Sequence, residues 1–267
     1  MLIDVGTYLQ DTPDERVNHA ILKRAAEFKI GKFLCSGVSP EDWGLVHSVS
    51  RQDEQIVPFF GIHPWYVDRV SPRWYKELLH IASMNMGAGI GTIGLDRSKN
   101  GGDYEKQKKI FLLQIQIAEQ LSRPIAICCA KAWDDLLTFL RDNKASRIRF
   151  MIHAYQGNPE TLEQLLKLGA YISFSRKNLL NADSSMLALV QQVPKDRLLL
   201  ETGFPHMDDS IKVDTSVSFE MYFKYLQETY ALAAQATQTD PGVLAETIWD
   251  NSSVYLLGAI PGKGDRR

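Results

Sequence analysis

Eight short apolar runs, separated by longer amphipathic segments, constrain this chain more than any other feature. They are Leu2 to Val5, Gly31 to Cys35, Ile56 to Phe60, Ala88 to Ile93, Pro124 to Cys129, Ile148 to Ile152, Ala170 to Phe174 and Arg197 to Leu200. Apolar runs this short, punctuated by turn-forming residues, read as buried strands. The segments between them open on helix-start grammar. Thr12-Pro13-Asp14-Glu15, Ser39-Pro40-Glu41-Asp42, Ser71-Pro72 and Asn158-Pro159-Glu160 each pair a capping side chain with a proline. The first of these predicts a helix to about Lys29. From about Asp103 to Leu121, Ile110, Leu113, Ile117 and Leu121 recur at helical spacing. Further helices are predicted near Asp183, from about Ser216 to Ala236, and from about Pro241.

Strands that alternate with helices pair in parallel. Eight of them in 267 residues predict an α/β fold, a single parallel eight-stranded (β/α)8 TIM barrel. The competitor is a doubly wound open sheet, weakened because no G-x-G-x-x-G follows the first strand. No linker, repeat or low-complexity segment divides the chain. One domain is therefore expected over residues 1–258, with 259–267 as a frayed tail.

The formal net charge of -2 and the sequence pI of about 6.3 provide no electrostatic footprint for nucleic acid. The three cysteines, Cys35, Cys128 and Cys129, form no disulfide framework. No basic region with a long apolar stretch opens the chain, and no run approaches the roughly 20 apolar residues that span a bilayer. The expectation is a cytoplasmic protein with no membrane partner.

In a parallel barrel the chemistry sits at the carboxyl ends of the strands. Those positions hold Gly6 and Tyr8, His63, Thr92 and Asp96, Cys128, His153, and Glu201 to Gly203. The stretch Leu198-Leu199-Leu200-Glu201-Thr202-Gly203-Phe204-Pro205 is the clearest of them, a buried strand ending in a polar pair. Divalent metals want several converging His, Asp or Glu side chains. Only His63, His153, Asp96 and Glu201 are of those types.

Ile3-Asp4, Gly61-Ile62-His63-Pro64, Ile93-Gly94-Leu95-Asp96, Gln107 with Phe111, Pro124 to Ala132, Ile152 to Gly157, Gly169 to Ser173 and Leu199 to Thr202 follow one another in a specific order and spacing. Together they resemble the TatD-like metal-dependent deoxyribonucleases of the amidohydrolase superfamily, over nearly the whole chain. The resemblance implies an amidohydrolase-like barrel in which one or two metals activate water against a phosphodiester. It also implies six ligand positions: an H-x-H pair after the first strand, a Glu on the fourth, a His on each of the fifth and sixth, and an Asp after the eighth. Carried over, these fall on Gly6, Tyr8, Thr92, Cys128, His153 and Gly203, and only His153 matches. The family's Arg two residues after the fifth-strand His is Ala130.

The expectation is therefore a TatD-related pseudoenzyme with a degenerate metal site, acting as a binding or partner module. No cofactor is expected. The pocket is predicted to comprise Tyr8, His63, Thr92, Asp96, Cys128, His153, Glu201 and Gly203, with an unidentified protein or small ligand as partner. Tyr8, Trp65, Tyr66, Trp133, Tyr155 and Phe204 are candidate rim aromatics, against the plainer reading that they pack the barrel top. The alternative is a divergent hydrolase using a single zinc, magnesium or manganese ion, or a site of Cys128 and His153 in which Glu201 is a further catalytic candidate. Against it stand structural roles: Cys128 as a small hydrophobe, His153 as a neutral core histidine, and Glu201 as a loop-positioning group. His63 bonding loop backbone and Asp96 capping its loop complete that plainer set. Weak nucleic-acid binding is a third reading, through Lys131, Arg97, Lys99 and Arg176-Lys177.

Overall fold

A computed structural model describes residues 1–12, 14–98, 100–143, 148–180, 182–206 and 218–258. Eight strands form one parallel sheet in sequential order: β1 Leu2–Thr7, β2 Ile30–Ser36, β3 Ile56–Phe60, β4 Gly89–Asp96, β5 Ile125–Ala130, β6 Phe150–Ile152, β7 Tyr171–Ser175 and β8 Leu198–Glu201. All eight lie on the predicted runs, with ends shifted by at most three residues. β4 and β8 are buried along their whole length, which is why they read as continuous apolar or small-residue runs.

The sheet curls until its edges meet. The Gly203 amide donates to the Gly6 carbonyl at 2.9 Å and the Tyr8 amide to the Phe204 carbonyl at 2.7 Å. Just inside this seam, Asp4 accepts from the Thr202 amide at 3.0 Å and contacts the Thr202 hydroxyl at 2.6 Å. The arrangement is an eight-stranded parallel barrel wrapped by helices.

The helices are α1 Glu15–Arg24, α2 Trp43–Ser50, α3 Trp74–Met84, α4 Tyr104–Leu121, α5 Trp133–Asp142, α6 Pro159–Lys167, α7 Arg176–Leu180, α8 Ser184–Gln192, α9 Phe219–Ala236 and α10 Pro241–Leu257. Their starts follow the capping grammar. Asp103, Asn158, Asp183 and Asp240 each accept a backbone amide of the first turn. Helix α1 departs from expectation at both ends. Its cap is Asp14, not Thr12, and it gives way after Arg24 to a 3-10 turn closed by Lys29 at φ 56°. The Thr12 hydroxyl instead donates to Asn18. Helix α9 is capped by Ser218. The predicted start at Ser216, like Pro13, Lys99 and the 259–267 tail, lies outside the described residues.

Two late helices fasten the barrel. The Tyr230 hydroxyl of α9 donates to the Ile3 carbonyl at 2.8 Å and accepts from the Ile3 amide at 3.1 Å. Asn251 of α10 donates to the Leu198 and Lys195 carbonyls at 2.8 and 2.7 Å. Among the described residues no helix is long and apolar enough to cross a membrane.

Candidate functional site

A cleft of about 650 Å³ opens at the carboxyl ends of the strands. Of the residues expected in the pocket, Tyr8, His63, Asp96, Cys128, His153, Glu201 and Gly203 line it. Thr92 does not: it is buried. Local geometry explains much of this convergence. Gly94, at φ 152°, lies so close to β5 that a Cβ there would stand 1.8 Å from the Cys128 carbonyl. Only glycine lets β4 and β5 meet here, and that approach sets the height of Cys128 at the cleft.

A hydroxyl–imidazole–carboxylate chain occupies the centre. His153 Nδ1 donates to Glu201 Oε2 at 2.8 Å, and the Tyr8 hydroxyl meets His153 Nε2 at 3.3 Å. The Glu201 bond assigns the imidazole proton to Nδ1, so Nε2 accepts from Tyr8. The Ser173 hydroxyl donates to the same Glu201 oxygen at 2.6 Å. Glu201 is fully buried, and its other oxygen, Oε1, has no hydrogen-bond partner among the described residues. Gly6 makes this possible, since a Cβ there would come within 2.9 Å of Glu201 Oε2. Burial, reinforced by the charge of Glu201, pushes the Tyr8 phenol well above its ordinary range, so it stays protonated.

A second chain runs along the wall. His63 Nδ1 accepts from the Trp65 amide at 3.3 Å, and Nε2 lies 3.3 Å from Cys128 Sγ. Burial, with His153 nearby, holds the His63 imidazole down to about 3. It is neutral, and with Nδ1 accepting, Nε2 carries the proton toward the sulfur. His63 thus bonds loop backbone, as expected. Trp65 Nε1 donates to Asp96 Oδ2 at 2.5 Å and the Ser98 amide donates to Asp96 Oδ1 at 2.6 Å, which is the expected capping role of Asp96. Glu201 holds the His153 imidazole. Burial raises the thiols of Cys129 and of Cys35, the latter up to about 12.

The aromatics divide. Tyr8, Trp65 and Tyr66 line the cleft, whereas Tyr155 and Phe204 are core residues and Trp133 packs on Tyr155. The expected phosphate contacts are largely committed elsewhere. Arg97 pairs with Asp135 at 2.5 Å and Arg176 with Glu228 at 2.8 Å. Lys177 lines the cleft, and Lys131 is exposed. Several lining residues were not singled out from sequence: Asp11, Glu41, Asp42, Gln156 and His206. His206 Nε2 meets Asp11 Oδ2 at 2.7 Å across 195 positions of chain. Its place just after the Glu201-Thr202 pair was the available signal.

The pattern of the TatD related DNase family matches residues 3–256. This chain belongs to that family. It is 25% identical over 212 residues to the metal-dependent hydrolase YabD of Bacillus subtilis, covering 78% of this chain and 81% of YabD. It is 28% identical over 211 residues to the 3'-5' ssDNA/RNA exonuclease TatD of Erwinia amylovora, covering 76% and 80%. The crystal structure of YjjV, a TatD homologue from Escherichia coli, superimposes with a TM-score of 0.83 at 20% identity, covering 97% and 98%. The fold of the family is therefore the fold of this chain.

The family implies a divalent metal, and the donors here do not fit one. Gly6 and Gly203 offer no side chain, Thr92 offers a buried neutral hydroxyl, and Tyr8 a protonated phenol. The lone pair of His153 that a metal would take accepts from Tyr8. Among the described residues no three His, Cys, Asp or Glu side chains converge closely enough to hold an ion.

Proposed function

We propose that this TatD-family chain is a binding module whose strand-end cleft takes a ligand, and that it is not a metal-dependent DNase. The observation that carries the reading is the engagement of His153. Its two ring nitrogens face Glu201 and Tyr8, so the one histidine at a family ligand position serves an internal hydrogen-bond chain. A water-activating metal needs several such donors held open. The thiol alternative is less well supported. A nucleophilic Cys128 needs a base within reach, and His63 presents it an N–H.

The test is elemental analysis of the purified protein beside a nuclease assay on single-stranded and duplex DNA. We expect no bound zinc, manganese or magnesium, and no cleavage that EDTA abolishes. Near-stoichiometric metal together with EDTA-sensitive cleavage would overturn the reading.

A further inference from the structure

We infer that the cleft selects a small organic cation bearing N–H donors, an ammonium or guanidinium compound, and seats that donor on Glu201 Oε1. This rests on the binding-module reading and specifies its ligand.

Two independent observations carry it. The first is an orphaned acceptor. Glu201 lines the cleft although it is fully buried, and Oε1 is without a hydrogen-bond partner among the described residues. An unsatisfied buried carboxylate oxygen is costly, and an N–H from a ligand is what removes the cost. A positively charged donor removes most, because it adds the attraction of opposite charges to the hydrogen bond in a site shielded from water.

The second observation is the charge of the lining. Five described lining residues are carboxylates, Asp11, Glu41, Asp42, Asp96 and Glu201, against one lysine, Lys177. Some of that charge is already engaged: Asp11 by His206, and Asp96 by Trp65 and Ser98. Asp42 accepts from the Val38 and Ser39 amides, and burial pushes its carboxyl up to about 7. Glu41 stands exposed at the mouth. The walls thus favour a cation and repel a phosphodiester. Tyr8, Trp65 and Tyr66 add aromatic surface, which suits an organic cation better than a bare metal ion. The volume of about 650 Å³ suits a small molecule.

The experiment is calorimetric titration of the full chain at pH 8, where Asp42 is ionised, with agmatine, which carries both cationic groups. Choline, a cation without N–H, and a thymidine dinucleotide are the comparisons. Agmatine should bind saturably at millimolar concentration or below, more tightly than choline, and should weaken as salt is raised. The dinucleotide should not compete. Glu201→Gln should weaken agmatine by at least about tenfold, the loss expected for a hydrogen bond between charged groups. Glu41→Gln, on the surface, keeps the test informative if that variant fails to fold. It should weaken agmatine by about twofold to fivefold, as for an exposed charge pair.

Equal binding of choline and agmatine, or tighter binding of the dinucleotide, would overturn the inference while leaving a ligand-binding cleft in place. So would the absence of any saturable agmatine signal. Bound metal with EDTA-sensitive cleavage would instead overturn the reading beneath it.

Discussion

Gly6 shows how one residue decides the character of the site. Its missing side chain leaves the space that Glu201 fills, with Oε2 only 2.9 Å from where a Cβ would stand. Gly6→Ala should therefore displace Glu201, loosen its bond to His153, and cost about 1–3 kcal/mol, the usual penalty of overpacking. Urea denaturation measures the loss. In a Glu201→Ala background the same substitution should cost less, since the carboxylate atoms it strikes are gone and only the Cβ at 3.0 Å remains. An equal penalty in both backgrounds would mean that Gly6 acts on the backbone alone. The role of Gly6 was invisible in sequence because its neighbour in space is 195 positions away. Cys128 and His153 were legible as strand-end residues, but their partners His63, Glu201 and Tyr8 depend on which side chains face one another across the barrel.

The turn that leads into α2 illustrates the next scale. Ser39-Pro40-Glu41-Asp42 reads as a helix start, and the helix begins at Trp43. Asp42 does more than open it: its carboxylate accepts the Val38 and Ser39 amides and turns toward the cleft. Burial outweighs those bonds and raises its pKa to about 7. The folded chain then holds a proton on Asp42 that the unfolded chain has released between about pH 4 and pH 7. Stability falls as pH rises through that window. Asp42→Asn removes the effect, so the wild-type Tm should drop relative to the variant as pH rises from about 4 to about 7. Asp4, also raised to about 7 by burial, contributes with the same sign but equally to both proteins. A Tm difference that does not change with pH would count against the partly buried position of Asp42.

At the scale of the whole molecule, closure of the barrel depends on contacts between its first and last segments. Tyr230 of α9 bonds both the amide and the carbonyl of Ile3, 227 positions away. Tyr230→Phe keeps the ring and removes both bonds, so it should cost about 1–3 kcal/mol of stability, read by urea denaturation. No loss would mean that α9 packs on β1 through apolar contact alone. The same closure brings Gly203 beside Gly6 and Phe204 beside Tyr8. The seam of the barrel is thus also one wall of the cleft.

The amino-acid sequence alone determined the number of strands, their parallel order and the family. Those follow from local signals: apolar runs, capping residues and motifs a few residues long. It also located Tyr8, His63, Asp96, Cys128, His153 and Glu201 at strand ends, because strand ends are local too. Only the tertiary structure decided that His153 pairs with Glu201 and Tyr8, and that Cys128 faces a proton-bearing His63. Only the structure left one oxygen of Glu201, a residue of an acidic cleft, buried without a hydrogen-bond partner among the described residues. Hydrogen bonding and desolvation depend on distances of a few ångströms between side chains far apart in the chain. Barrel closure sets those distances, and no periodicity in the sequence records them.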